Sequence, residues 1–217
     1  MNNTSETLTI RQQNIIKISA LTAKGDTEKM KAAFNEGLNA GLTINEINEE
    51  LAHLYAYCGF AASVRGTNIL KEVVTSRLAA GIHDPQGKVA TKIDESKNKY
   101  QRGEDAQVIV TGMSAEQLRG AFSFNPVLDV FLKEHLFADL FGSDVLSFTD
   151  RELVTVSALS SMMEPLVLPH FGGALNVGLS EQQLLELLAI IEDIIGITEA
   201  ETGRSIFEKV LKTRASA

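Results

Sequence analysis

Residues 170–211 read HFGGALNVGLSEQQLLELLAIIEDIIGITEAETGRSIFEKVL, and residues 33–74 of the same chain read AFNEGLNAGLTINEINEELAHLYAYCGFAASVRGTNILKEVV. The two segments align without a gap at an offset of 137, and upstream an offset of 138 aligns Ser19-Ala20-Leu21 with Ser157-Ala158-Leu159. We conclude that the chain contains two copies of one module. The identical pairs include Leu38/Leu175, Gly41/Gly178, Leu42/Leu179, Glu49/Glu186, Leu51/Leu188, Gly59/Gly196, Ile69/Ile206 and Val73/Val210.

Each copy has the apolar spacing of helices. Leu51, Leu54 and Cys58 recur at i, i+3 and i+7, and Leu184, Leu187 and Ile191 in the second copy have the same spacing. Alternating apolar and polar runs, which would indicate strands, are few. The sequence therefore predicts an all-α fold. Capping boxes, in which Ser or Thr precedes Glu or Gln by three residues, are expected at Thr43/Glu46, Ser180/Gln183, Ser114/Gln117, Thr149/Glu152 and Thr198/Glu201.

The segment between the two copies is polar and poorly periodic. We predict a first module in residues 1–78, a linker in residues 79–113 with a short helix around residues 93–100, and a second module in residues 114–217. Within the second module, FNPVLDVFLKEHLFADLF predicts an amphipathic helix that Pro126 opens near its first turn.

The composition limits the classes of partner. A net charge of −8 and a pI of about 5.1 argue against binding to nucleic acid, which needs clustered Lys and Arg. No apolar run approaches the roughly 18 residues of a membrane-spanning helix, and the N-terminus lacks the pattern of a signal peptide. One cysteine in 217 residues cannot form an intrachain disulfide. We expect a cytoplasmic protein with no membrane partner.

The second copy carries a pattern that resembles a known family. LSFTDRELVTVSAL at residues 146–159 is followed by His170-x-x-x-Ala174-Leu175-x-x-Gly178-Leu179-Ser180-x-x-Gln183, and the first copy has Tyr57-Cys58-Gly59-Phe60-Ala61-Ala62. This order is similar to that of the carboxymuconolactone decarboxylase family, which includes alkylhydroperoxidase D-type proteins. The resemblance implies an all-helical fold that assembles in rings, so that this tandem chain would form a homotrimer resembling a hexamer of modules.

The resemblance leaves two chemistries open. Peroxidase members carry Cys-x-x-Cys seven and four residues before the histidine, where this chain has Met163 and Leu166. Because it lacks that dithiol, the chain resembles the decarboxylase-like members in this respect. We expect a cofactor-free enzyme that acts on a small acidic lactone or ring compound. The alternatives are a peroxidase that uses Cys58 alone, and an oligomeric binding protein without turnover.

His170 is the first candidate for catalysis, because imidazole exchanges protons near neutral pH and the resemblance falls on this position. A lactone acid that loses carbon dioxide leaves a dienolate, which one acid must reprotonate at carbon. Glu152 is the candidate partner of His170, although a role as the third residue of the Thr149 capping box would also explain it. Cys58 reads more readily as a small buried side chain than as a reactive thiol.

The other chemically active side chains have simpler interpretations. His53 is expected to be a hydrogen-bonded core or interface histidine, His135 to lie on the polar face of its helix, and His83 to lie in a loop. Met162 and Met163 are expected to pack in a core. No spacing of His or Cys indicates a metal site. An arginine would anchor the substrate carboxylate, and the candidates are Arg65, Arg151 and Arg204.

Overall fold

The computed structural model describes residues 7–93 and 96–216, and every regular element in those ranges is helical. This confirms the prediction of an all-α fold. None of the helices in the described ranges is both long enough and apolar enough to span a membrane. The elements are α1 (Ile10–Lys24), α2 (Thr27–Asn39), α3 (Ile44–Ala79), α4 (Lys99–Thr111), α5 (Ala115–Ala121), α6 (Pro126–Val130), a π-helix (Phe131–Leu140), α7 (Phe148–Ser161), α8 (Val167–Asn176), α9 (Glu181–Ile194) and α10 (Ile197–Ala215).

The internal repeat is present in three dimensions. Helices α1, α2 and α3 correspond to α7, α8 and the pair α9–α10. The long helix α3 bends at Gly59, whose φ of 80° lies in the left-handed region that glycine adopts most easily. Gly196 separates α9 from α10 at the matching position. A glycine at the same position therefore interrupts the last helical segment of each copy and divides it into two arms.

Packing between these arms is also repeated. A Cβ atom on Gly66 would lie 2.5 Å from Leu51 Cδ2, and one on Gly203 would lie 2.5 Å from Leu188 Cδ2. Both glycine–leucine pairs are related by the offset of 137. Close approach of the two arms thus depends on glycine in both copies, because any side chain there would displace a core leucine.

The helix starts are partly as predicted. The capping boxes of Thr43, Ser180 and Ser114 are formed. The other two predictions were wrong: Ser147 caps α7, which places Glu152 beyond the cap, and α10 follows Gly196 without a side-chain cap. A further box at Thr9 and Gln12 caps α1, and Thr9 aligns with Ser147 at the offset of 138.

The segment between the copies contains more helix than expected. The helix predicted around residues 93–100 was wrong, because α4 begins at Lys99 after an Asn98 cap and continues to Thr111. Of the earlier positions, 94 and 95 lie outside the described residues. Helix α4 packs tightly on the π-helix, where a Cβ atom on Gly103 would lie 1.7 Å from the carbonyl oxygen of Lys133. The helix predicted to begin at Pro126 is confirmed as α6 and the π-helix that continues it. Its predicted amphipathic order was wrong, because Asp129 and Lys133 are buried while Val127, Leu128 and Phe131 are exposed.

One hydrophobic core joins the two modules. Its buried residues come from all the repeated helices, and α1 packs directly against α7. Helix α4 contacts α8 on the far side of the second module. The first helix arm of α3 also contacts α7. This arrangement places α3 of the first module beside the helices that carry Glu152 and His170.

Candidate active site

Helices α7 and α8 bring Glu152 and His170 together. The imidazole Nδ1 of His170 lies 3.1 Å from one carboxylate oxygen of Glu152 and 3.4 Å from the other. Glu152 is fully buried, whereas the His170 side chain is 21% exposed. Because Ser147 is the N-cap of α7 and accepts from the backbone N–H of Asp150, a capping role does not explain Glu152. The buried carboxylate holds Nδ1, and the other ring nitrogen of this partly exposed imidazole, Nε2, has no hydrogen-bond partner among the described residues.

Glycine allows α8 to lie close to α7 and α4. A Cβ atom on Gly173 would lie 3.2 Å from a methyl group of Val110 and 3.5 Å from the carboxyl carbon of Glu152. Phe171 and Ala174, on either side of that glycine, are completely buried. The packing of α8 therefore fixes the position and orientation of His170 relative to the Glu152 carboxylate.

The first module also contributes to the site, through Tyr57 on α3. The ring of Tyr57, on α3, meets the His170 ring edge to face at a centroid distance of 5.3 Å and an interplanar angle of 85°. Its hydroxyl oxygen is buried and has no hydrogen-bond partner among the described residues. Burial and the nearby charge of Glu152 raise the pKa of Tyr57 well above its ordinary value. The hydroxyl is therefore neutral beside the acid–imidazole pair.

A buried polar cluster lies behind Tyr57. His53 is completely buried, with Nε2 3.0 Å from the Thr155 hydroxyl and Nδ1 3.4 Å from an Arg151 nitrogen. Arginine can only donate, so Nδ1 accepts and the proton sits on Nε2, which donates to Thr155. Burial and the charges of Arg151 and His170 lower the pKa of His53 well below its ordinary value. The prediction of a hydrogen-bonded core histidine is confirmed.

The first module lacks the acid–imidazole pair. Asn14 aligns with Glu152 at the offset of 138, and Ala33 aligns with His170 at the offset of 137. Asn14 is buried and donates to the carbonyl oxygen of Ile10, 2.8 Å away. The neutral amide and the methyl group at these two positions have no titratable proton near pH 7. The chemistry of the repeat is thus confined to the second copy, with α3 of the first copy as its wall.

Cys58 does not have the surroundings of a reactive thiol. Its Sγ donates to the carbonyl oxygen of Leu54 at 3.1 Å, and the residue is half-buried against the core. Burial raises the pKa of Cys58 to about 11. A thiol with that pKa holds little thiolate at neutral pH, and thiolate is the form that attacks peroxides. The structure favours the expected packing role.

The dithiol positions of the peroxidase pattern lie at the turn between α7 and α8. Leu166 is 67% exposed, and Met163 is 43% exposed with a φ of 55°. The prediction that Met163 packs in a core was wrong, because the left-handed turn points it outward, while Met162 packs against the core as expected. A non-glycine residue in this backbone region is uncommon and carries strain, which is often found beside functional sites.

The three candidate arginines have different surroundings. Arg151 is fully buried and donates to Glu49 and to the carbonyl oxygen of Ser143, at 2.6 and 2.7 Å, so it does not reach solvent. Arg204 is paired with Glu192. Arg65 is exposed on α3 and has no ion-pair partner in the described ranges. Arg65 is therefore the candidate that is open to an external carboxylate.

The remaining histidines lie away from this pair. His135 is half-exposed on the π-helix, where it contacts Asp139 at 3.1 Å, and His83 is exposed in the segment after α3. Within residues 7–93 and 96–216, no three His, Cys, Asp or Glu side chains converge as metal ligands would.

Sequence analysis did not identify Tyr57 and Thr155 as residues of the site. The available signal was the spacing of His53 and Tyr57, which lie four residues apart and so share one face of α3. What that face contacts depends on packing between modules, which spacing within one helix does not reveal.

The profile of the carboxymuconolactone decarboxylase family matches residues 2–72 and 126–209, well over half of the sequence. The chain belongs to this family. The first matched segment contains α1, α2 and most of α3, and the second runs from α6 into α10, so each match covers one copy of the internal repeat. Most of the central segment, including α4, lies between the matches.

Comparison with solved structures supports the fold of this family member. One similar structure is a protein from Burkholderia xenovorans LB400 that is provisionally assigned as a gamma-carboxymuconolactone decarboxylase subunit. It is 22% identical in sequence, with a TM-score of 0.55, over 95% of this chain and 80% of that one. No curated protein matches the sequence. At this level of identity the likeness establishes the fold alone.

Proposed function

We propose that this family member is a cofactor-free enzyme that decarboxylates, or moves a proton on, a small acidic lactone or ring compound. The observation that carries the proposal is the contact between His170 Nδ1 and the buried carboxylate of Glu152. A carboxylate bound to one imidazole nitrogen orients the ring and stabilises its charged form, which prepares the other nitrogen to donate a proton.

The proposed reaction needs one proton donor. The bond between the ring carbon and the carboxylate breaks, the electron pair stays with the ring as a dienolate, and carbon dioxide leaves. His170 then delivers the proton from Nε2 to carbon, and a proton from water restores the imidazolium. Atoms and charge balance, because a carboxylate and one proton become carbon dioxide and a C–H bond.

Other residues would bind and position the substrate. The exposed guanidinium of Arg65 is a candidate for the carboxylate anchor, since Arg151 and Arg204 are engaged with Glu49 and Glu192. The partly buried Tyr57 ring would fix the direction of His170 from the first module. In this proposal the catalytic residues are His170 and Glu152, while Tyr57 acts as a positioning residue through His170.

The first test is release of carbon dioxide from 4-carboxymuconolactone by the purified protein and its variants. His170→Ala should lose 10²- to 10⁴-fold in rate, which is about the usual contribution of a general acid. His135→Ala is the matched control, because this half-exposed histidine lies on the π-helix outside the site. Its rate should equal that of the wild type.

The outcomes separate the proposal from its alternatives. Equal rates for His170→Ala and the wild type would contradict the assignment of His170. Reduction of an organic hydroperoxide that disappears in Cys58→Ser would support the peroxidase instead. Binding of lactone acids with no turnover of any kind would support a binding protein.

We also propose that the protein is a homo-oligomer, with the trimer as the expected form. Support comes from large apolar side chains that remain exposed in one chain, among them Phe60 at 69%, Phe124 at 101% and Phe131 at 62%. Light scattering during size-exclusion chromatography should give about three times the mass of 23.6 kDa. A single-chain mass at micromolar concentration would contradict this.

A further inference from the structure

A second pocket of about 500 Å³ lies on the outer side of α8. Its walls come from three helices: the end of α4, the outer face of α8 and the last turns of α10. The size falls in the range of about 300–1,000 Å³ that is usual for sites of small organic ligands. Its lining includes Met113, Leu168, Gly172, Lys209 and Arg214.

The pocket faces away from His170. Leu168 and Gly172 are four residues apart and lie on one face of α8, with His170 midway between them in sequence and therefore on another face. His170 contacts Glu152 on α7, whereas the pocket is bounded by α4 and α10. A ligand here would not touch the proposed catalytic pair.

The floor of the pocket is mainly apolar. Leu168 and Met113 line it, and they remain 44% and 37% exposed although both are large apolar side chains. A Cβ atom on Gly172 would meet nothing within 4 Å, so this glycine opens space in the pocket instead of allowing a close helix contact. An apolar body of matching size would bury these side chains.

The polar groups of the pocket are cationic. Lys209 and Arg214 both line it, and neither has an ion-pair partner in residues 7–93 and 96–216. Arg214 is held in place by the side-chain oxygen of Asn176, which it contacts at 2.9 Å. No acidic residue lines the pocket, although the chain has 28 acidic residues and only 20 lysines and arginines.

We propose that this pocket binds an organic monocarboxylate with an extended apolar body, such as a medium-chain fatty acid. The carboxylate would contact Lys209 and Arg214, and the apolar body would cover Leu168 and Met113 in the space above Gly172. Two cations that have no ion-pair partner among the described residues, beside an apolar floor, favour this class over a neutral lipid or an amine. The proposal does not depend on the function proposed for His170.

Isothermal titration calorimetry with decanoate tests the proposal, with 1-decanol as the neutral probe of equal length. The wild type should bind one decanoate per chain, and it should bind decanol at least fivefold more weakly, because decanol has no carboxylate. Lys209→Gln and Arg214→Gln should each weaken decanoate binding by up to about fivefold, the upper range for an exposed ion pair.

Two further variants separate this pocket from the rest of the surface. Gly172→Leu should abolish decanoate binding by filling the pocket, and leucine is a better helix former than glycine, so the variant should fold. Lys212→Gln is the matched control, because Lys212 lies on the same helix, is 79% exposed and does not line the pocket. It should bind decanoate as the wild type does.

The proposal is overturned if the wild type does not bind decanoate, or if Gly172→Leu binds it with unchanged affinity. It is also overturned if decanol binds as tightly as decanoate, which would leave the two cations without a role. If Gly172→Leu instead lowers the mass of the oligomer and decanoate does not bind, a second copy of the chain occupies the pocket.

Discussion

Replacing His170 with alanine should destabilise the protein by an amount that depends on pH. Glu152 is fully buried, and His170 is its hydrogen-bond partner in the structure. Without the imidazole, the folded chain must either bury an unpaired carboxylate or protonate it. Protonation limits the loss in the free energy of unfolding to about 1.36 kcal/mol for each pH unit above roughly 4.3, which is the pKa of a glutamate side chain in water.

This limit can be stated at two pH values. At pH 7 the deficit in the free energy of unfolding should be at most about 3.7 kcal/mol, and at pH 5 at most about 1 kcal/mol. The sign follows from the proton count. A buried carboxyl that is protonated in the folded variant stabilises it at low pH, and that stability is lost as the pH rises.

Urea denaturation of the wild type, His170→Ala and His170→Ala/Glu152→Gln measures this effect. The double variant should recover most of the stability at pH 7, since the glutamine amide at position 152 is uncharged and can be buried without taking up a proton. The reasoning is refuted if His170→Ala is as stable as the wild type at pH 7. A deficit that is the same at pH 5 and pH 7 would also refute it.

Three further predictions concern other parts of the molecule. Gly66→Ala and Gly203→Ala should each lower the free energy of unfolding by about 1–3 kcal/mol, because the new methyl group displaces a core leucine; equal stability of either variant in urea would contradict the repeated packing. Cys58 should react with iodoacetamide at pH 7 at least about 100-fold more slowly than a free thiol, because burial raises its pKa to about 11. Alkylation of Cys58, followed by mass spectrometry, at the same rate as alkylation of glutathione would disprove this. Burial raises the pKa of Glu50 in the folded chain, so its protonated carboxyl stabilises the fold at low pH, and this contribution is lost as the pH rises from about 4.5 through the folded pKa. Glu50→Gln should therefore gain less stability on acidification than the wild type. An unchanged pH dependence of the thermal midpoint would count against this.

The fold followed from the sequence because its main signals are local or repeated. Helical spacing and three capping boxes depend on residues within a few positions of one another, and the structure contains them. The identical pair Gly59/Gly196 of the repeat coincides with the bend of α3 and with the boundary between α9 and α10. The helix at Lys99–Thr111 was missed, because its polar surface hides the period that burial imposes on α4.

The candidate site could be predicted only in part. His170 and Glu152 were identified from the order of residues in the second copy, and the capping explanation of Glu152 failed because Ser147, and not Thr149, is the N-cap of α7. Tyr57 reaches the pair from 113 positions earlier in the chain, through the packing of α3 on the second module. A contact of that kind depends on the shape of the whole core, which no short pattern encodes.

The most direct test of proton delivery by His170 is decarboxylation of 4-carboxymuconolactone in deuterium oxide, with the product examined by NMR. The account predicts that the wild type places one deuterium on a ring carbon in a single configuration. His170→Ala should release carbon dioxide far more slowly and give a mixture of configurations. A wild type that releases no carbon dioxide, or a variant with the same rate and the same single configuration, would contradict the account.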